Sequence, residues 1–110
     1  MEAKVIRVEH YIPEVVIKEN DHKSFRKYLE DGFFVFKVAD GCYTLRKKFK
    51  ILVTIEYDGK QRVVNLRYDF KQHYGNMDVK KAIERFKNDL KSGKKRLEVD
   101  STGYCSIIGT

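Results

Sequence analysis

Tyr43-Thr44-Leu45-Arg46-Lys47-Lys48-Phe49-Lys50-Ile51-Leu52-Val53-Thr54-Ile55-Glu56-Tyr57 is the most regular stretch of the chain, and the pairs Asp40-Gly41 and Asp58-Gly59 bracket it. Every odd position in it is apolar or aromatic except Lys47. An apolar side chain at every second residue marks a strand with one buried face. Asp-Gly supplies the positive φ angles of a tight type I′ hairpin turn. The stretch therefore predicts the middle strand of a three-stranded antiparallel meander spanning about residues 33–70. In that register Val38 faces Tyr43, Phe36 faces Leu45 and Phe34 faces Lys47. On the other side Ile55 faces Arg62, Val53 faces Val64, Ile51 faces Leu66 and Phe49 faces Tyr68. One continuous apolar face results, from Phe34 to Phe70. Lys47 sits on it, near the middle of a run that is long for a strand, so a bulge or bend is expected at Arg46-Lys47-Lys48.

Working outward, residues 4–12 alternate as a strand, and Pro13 interrupts it, as proline does at a strand end. Residues 14–18 continue the strand after a bend. Asp21 is placed to cap a helix over about residues 21–31, with Phe25, Tyr28 and Leu29 on one face and Gly32 at its end. Residues 72–76 read as a loop. Asn76 or Asp78 caps a second helix over about 77–91, where Val79, Ala82, Ile83, Phe86 and Leu90 form an apolar stripe. A C-terminal hairpin around Ser101-Thr102-Gly103 closes the chain. The expected fold is a single α+β domain over residues 1–110: an antiparallel sheet with a central meander, two covering helices and a C-terminal hairpin.

At 110 residues the chain is long enough to bury a core without staples. No segment is apolar for long enough to span a membrane, and charges interrupt the N-terminus too early for a secretory signal. The expected location is cytoplasmic, with Cys42 and Cys105 as free thiols in apolar surroundings. The formal charge is +7, and it is unevenly spread. Residues 1–45 carry 7 Lys+Arg against 8 Asp+Glu, whereas residues 46–110 carry 16 against 8. A lopsided basic field attracts polyanions or an acidic protein surface.

The candidate contacts follow from that asymmetry. Lys80, Lys87 and Lys91 share one polar ridge of the second helix, Lys81 lies further round, and Lys94, Lys95 and Arg96 follow its end. Lys48, Lys50 and Arg67 form a second patch on the meander. There Lys50 would face Arg67, a like-charge pair that destabilises a sheet unless an anion lies over it. The order helix, three strands, helix over residues 21–91, with Lys80-Lys81-Ala82 opening the second helix, resembles double-stranded-RNA-binding domains. That resemblance implies lysines on phosphate. Residues 48–90 also resemble the sheet-reading DNA-binding domains of some integrases, which implies an exposed sheet face in the major groove.

Catalytic readings find less support. Asp58-Gly59-Lys60 spells the end of a nuclease signature, but turn chemistry accounts for Asp58 and Gly59. His10, His22 and His73 have no Ser, Cys or acid at triad spacing, and His10 reads as a core histidine. There is no glycine-rich phosphate loop and no zinc spacing. The expectation is a non-enzymatic protein without metal or cofactor that binds DNA or RNA. The alternative is an inhibitor or adaptor of the kind phages and mobile elements carry, docking on a host or defence protein by its basic surface or a free sheet edge. Such an edge would also pair with a second copy to form a homodimer.

Overall fold

Eleven elements follow one another along residues 1–109, which the computed structural model describes. They are β1 (Glu2–Tyr11), β2 (Glu14–Lys18), α1 (His22–Glu30), β3 (Phe34–Ala39), β4 (Cys42–Arg46), β5 (Lys50–Tyr57), β6 (Lys60–Asn65), α2 (Arg67–Tyr74), α3 (Val79–Ser92), β7 (Lys95–Val99) and β8 (Cys105–Gly109). The fold is mixed α+β with two antiparallel sheets and a C-terminal hairpin. One sheet has the order β6-β5-β1-β7-β8 and the other β2-β4-β3. The chain divides into two compact units: residues 1–10 with those from Lys50 onward, and Tyr11–Phe49.

Both Asp-Gly turns form as their chemistry requires. Asp40 and Asp58 take φ of 53° and 54°, and the glycines that follow take 73° and 72°. Asp40-Gly41 joins β3 to β4, with Val38 opposite Tyr43. Asp58-Gly59 joins β5 to β6, with Ile55 opposite Arg62 and Val53 opposite Val64.

The break expected at Arg46-Lys47-Lys48 is present and goes further than a bulge. It ends β4 and starts β5 in a different sheet, so the strands of the anticipated meander are shared between two sheets. The single apolar face is corrected accordingly. Ile51, Val53 and Ile55 are buried, but Phe34, Phe36, Val38 and Tyr68 are exposed. A bulge between Val35 and Lys37 also shifts the register, so that Val35, not Phe36, faces Leu45, and Phe34 faces Arg46.

Residues 67–74 form a helix where a strand and a loop are expected from alternation alone. Asn65 supplies the physical reason. Its Oδ1 accepts from the amides of Ile51, at 3.3 Å, and Arg67, at 3.2 Å, which ends the ladder and opens a turn. Leu66, Phe70 and Tyr74 then recur at helical spacing. Phe70 packs edge-on against Phe86 of α3, with ring centroids 5.0 Å apart. The Phe49–Tyr68 and Lys50–Arg67 cross-strand pairs therefore do not form. The two strand-based resemblances lose their topological basis for the same reason: four strands, split between sheets, lie between α1 and α2.

In the larger unit the core gathers Phe86, Ile51, Ile55, Leu97 and Val53, all essentially without solvent contact. Asp78 caps α3 by accepting from the Lys81 amide, and Gly93 ends it in the left-handed conformation. Asp69 of α2 is buried, and its Oδ2 accepts from the Ile107 amide of β8 at 2.8 Å. In the smaller unit α1, capped by Asp21 through the Ser24 amide, lays Phe25 against Tyr43 at 4.9 Å. Leu45, Ile17 and Pro13 are buried in this unit.

Candidate nucleic-acid interface

The ladder between β1 and β7 covers Glu2↔Glu98 and Ala3↔Leu97. Beyond it lies a groove of about 530 Å³, bounded by β1, the C-terminal half of α3 and the first residues of β7. Its apolar lining is Ala3, Val5, Ile6, Val8, Leu90 and Leu97. Its cations are Arg7, Lys87, Lys91, Lys95 and Arg96, and its one carboxylate is Glu2.

The helical spacing of Lys87 and Lys91, four residues apart, puts both on one flank of α3, while Phe86 and Leu90 turn inward. Arg7 pairs with Glu9 at 2.8 Å and Arg96 with Glu98 at 3.3 Å, each along its own strand and in the open. Such exposed pairs hold their partners weakly, on the order of 0–1 kcal/mol, so both guanidiniums can exchange a carboxylate for a phosphate. Among the described residues no carboxylate lies within the 4.0 Å ion-pair limit of Lys87 or Lys91.

The structure thus brings together Lys87, Lys91, Lys95 and Arg96 of the residues singled out from sequence. It adds Arg7 of β1, which the sequence pattern does not single out. Lys80 sits on the same ridge as Lys87, two turns earlier, and outside the groove lining. Lys81 lies on the other flank. Lys94 lines a separate cleft. The second patch does not lie on paired strands as expected: Lys48 lies in the connector after β4, Lys50 opens β5 and Arg67 opens α2. His10 is exposed rather than a core residue.

Lys95 is the largest departure from the sequence reading. In the run Lys94-Lys95-Arg96 all three cations look superficial. Alternation along β7, however, puts Lys95 on the side of Leu97 and Val99, and it is only 6% exposed. Its ammonium lies 3.2 Å from His73 Nδ1 and 4.3 Å from the centre of the Tyr74 ring. An ammonium can only donate, so in this contact His73 Nδ1 is the acceptor. Tyr74 donates to Asp89 Oδ2 at 3.0 Å. Burial, with that bond to a carboxylate, pushes the Tyr74 hydroxyl well above its ordinary pKa. Gly109, opposite Lys95 on β8, leaves room for this arrangement: a Cβ there would meet the Lys94 carbonyl and lie 3.0 Å from Lys95 Cγ.

No protein-family model matches the chain, and no curated protein or solved structure matches it. The site is therefore read from its own geometry. No helix is long and apolar enough to cross a membrane. Among the described residues no cluster of three or more His, Cys, Asp or Glu is arranged to hold a metal ion.

Proposed function

We propose that the protein binds nucleic acid, DNA or RNA, without catalysing a reaction on it, and that the groove between β1, α3 and β7 is the contact surface. One observation carries this reading: Lys87 and Lys91 from a helix, and Arg7 and Arg96 from two strands, rim one groove with an apolar floor. Phosphates would sit on the rim cations, and the apolar lining offers a surface for sugars or base edges. The chain's net charge of +7 draws a polyanion toward it.

The mechanism is counterion release. With about four phosphates neutralised, affinity for a duplex should fall about 100-fold between roughly 50 and 200 mM salt. The test is a salt titration with labelled single- and double-stranded oligonucleotides. The double charge reversal Lys87→Glu with Lys91→Glu should weaken binding at low salt by at least about tenfold and flatten the salt slope. Its melting temperature should stay close to that of the parent, because both side chains are exposed. A flat salt response in the parent protein overturns the reading.

A second reading rests on the smaller unit. Strand β3 lies at the edge of its sheet with Phe34, Val35, Phe36 and Val38 all at least 41% exposed. An edge with apolar side chains on it suits the addition of a strand from a partner protein. This is the inhibitor or adaptor alternative. It is favoured if the purified protein ignores oligonucleotides while β3 substitutions abolish a protein complex.

A further inference from the structure

We propose that the cleft between α2, α3 and the start of β7 is a binding site for a phosphate monoester. It has a volume of about 400 Å³, and His73, Tyr74, Arg85, Asp89, Lys94 and Lys95 line it. It lies apart from the groove lining except at Lys95, and its case stands independently of the nucleic-acid reading.

The argument starts from Lys95. A buried ammonium is expensive unless a counter-charge accompanies it. Among the described residues no carboxylate lies within 4.0 Å of its nitrogen. Its neighbours are instead the His73 ring and the face of Tyr74. Asp89 is the one acid in the cleft. It is 7% exposed and is engaged by the Tyr74 hydroxyl. Three cations, Lys95, Lys94 and Arg85, thus face one carboxylate, which leaves a surplus of two positive charges.

A phosphate monoester carries about −1.5 to −2 charges near neutral pH, which matches that surplus. Its shape fits the donors as well. They come from separate elements: the Lys95 ammonium from β7, Lys94 from the residue before it, the Arg85 guanidinium from α3 and the His73 ring from α2. A tetrahedral anion offers three oxygens in different directions, whereas a carboxylate offers two in one plane. Two sources supply this chemistry: the terminal phosphate of an oligonucleotide and a small phosphorylated metabolite.

The test uses inorganic phosphate as the first probe. Titrated against chloride at equal ionic strength, phosphate should raise the melting temperature of the parent protein by several degrees once it exceeds its Kd about tenfold. It should also move the amide resonances of residues 72–74 and 94–95 in a saturable way. Lys95→Met should abolish both effects while melting at or above the parent temperature in phosphate-free buffer, because it removes an unneutralised buried charge. If that variant fails to fold, the exposed pair Arg85→Gln with Lys94→Gln should weaken phosphate binding by about tenfold, in line with the loss of charge-assisted bonds.

Oligonucleotides with and without a 5′-phosphate, and glycerol phosphate, then separate the sources. A preference for the phosphorylated end assigns the site to nucleic-acid termini. Equal oligonucleotide binding, with a saturable response to glycerol phosphate, assigns it to a small metabolite. Absence of a phosphate response in the parent, or its persistence in Lys95→Met, overturns the site. Lys87→Glu with Lys91→Glu should leave the phosphate response intact, so a failure of the groove and a failure of the cleft are told apart.

Discussion

The two units handle apolar side chains in opposite ways. The larger one encloses Phe86, Ile51, Ile55, Leu97 and Val53 and spreads its cations around the rim of a groove. The smaller one buries Leu45 and Ile17 and leaves Val16, Phe34, Val35, Phe36 and Val38 largely open to solvent. The difference arises because a two-faced sheet needs a cover for each face. In the larger unit α2 and α3 supply packing, with Phe70 and Phe86 interlocked. In the smaller unit α1 is a single nine-residue helix that packs on Tyr43 of β4; it leaves open the opposite face, with Val16, and also Val35 and Val38 of the edge strand β3, which share a face with Leu45 and Tyr43. The cationic groove and the exposed apolar edge therefore lie in different parts of one chain, so the two proposed modes of binding can be tested separately.

The largest effects are expected where that contrast is steepest. Phe86→Ala should destabilise the larger unit by about 3–5 kcal/mol, read by chemical denaturation and by loss of exchange protection in β5 and β7. Leu45→Ala should cost about 2–5 kcal/mol, with protection lost first in β2, β4 and β3. If both variants lose protection uniformly along the chain, the division into two separately cored regions is wrong.

A smaller effect is expected at the link between α2 and β8. Asp69→Ala leaves the buried Ile107 amide without its acceptor and should cost about 1–3 kcal/mol, measured as a lower denaturation midpoint. Smaller still is the consequence of Phe34→Thr with Val38→Thr. These positions are exposed, so stability should move by no more than about 0.5 kcal/mol each. Any concentration-dependent association seen by sedimentation, however, should vanish. Association that survives would remove β3 as a contact edge.

The smallest effect concerns a device both units share. Asp100 in the β7–β8 turn accepts from the Thr102 hydroxyl at 2.6 Å and from the Tyr104 amide at 2.9 Å, which holds its carboxyl below the ordinary 3.8. Asp21, capping α1 through Ser24, is lowered in the same direction. A depressed folded value means the contribution is complete above the ordinary pKa and disappears as pH falls through the lower folded one. Carboxyl carbon titration by NMR should place both midpoints beneath those of the same residues in the unfolded chain. Midpoints at or above the unfolded values would show that the turn and the cap are not formed in solution.

Much of this architecture was legible in the residues. Asp-Gly fixed two hairpins, the stripe from Val79 to Leu90 fixed α3, and Lys47 marked the break. Two features were hidden. Leu66, Tyr68 and Phe70 fit a strand as well as Leu66, Phe70 and Tyr74 fit a helix, and the decision fell to Asn65, whose bond to Ile51 depends on tertiary placement. Lys95 was concealed by its neighbours, because three consecutive cations suggest a surface whereas the rhythm of Leu97 and Val99 assigns the middle one to the interior. Of the candidate contacts, Lys87, Lys91, Lys95 and Arg96 line one groove and Lys80 lies outside it. The strand pairing beyond Leu66, on which the Lys50–Arg67 pair depended, did not form.

The Asp69 carboxylate has an effect beyond stability. The outermost strand of a sheet normally shows half of its N–H groups to water, where deuterium replaces them quickly. Ile107, held by a side chain from a neighbouring helix, should instead keep its hydrogen about as long as residues deep within the sheet. At this one amide the carboxylate takes the place that the carbonyl of a sixth strand would hold.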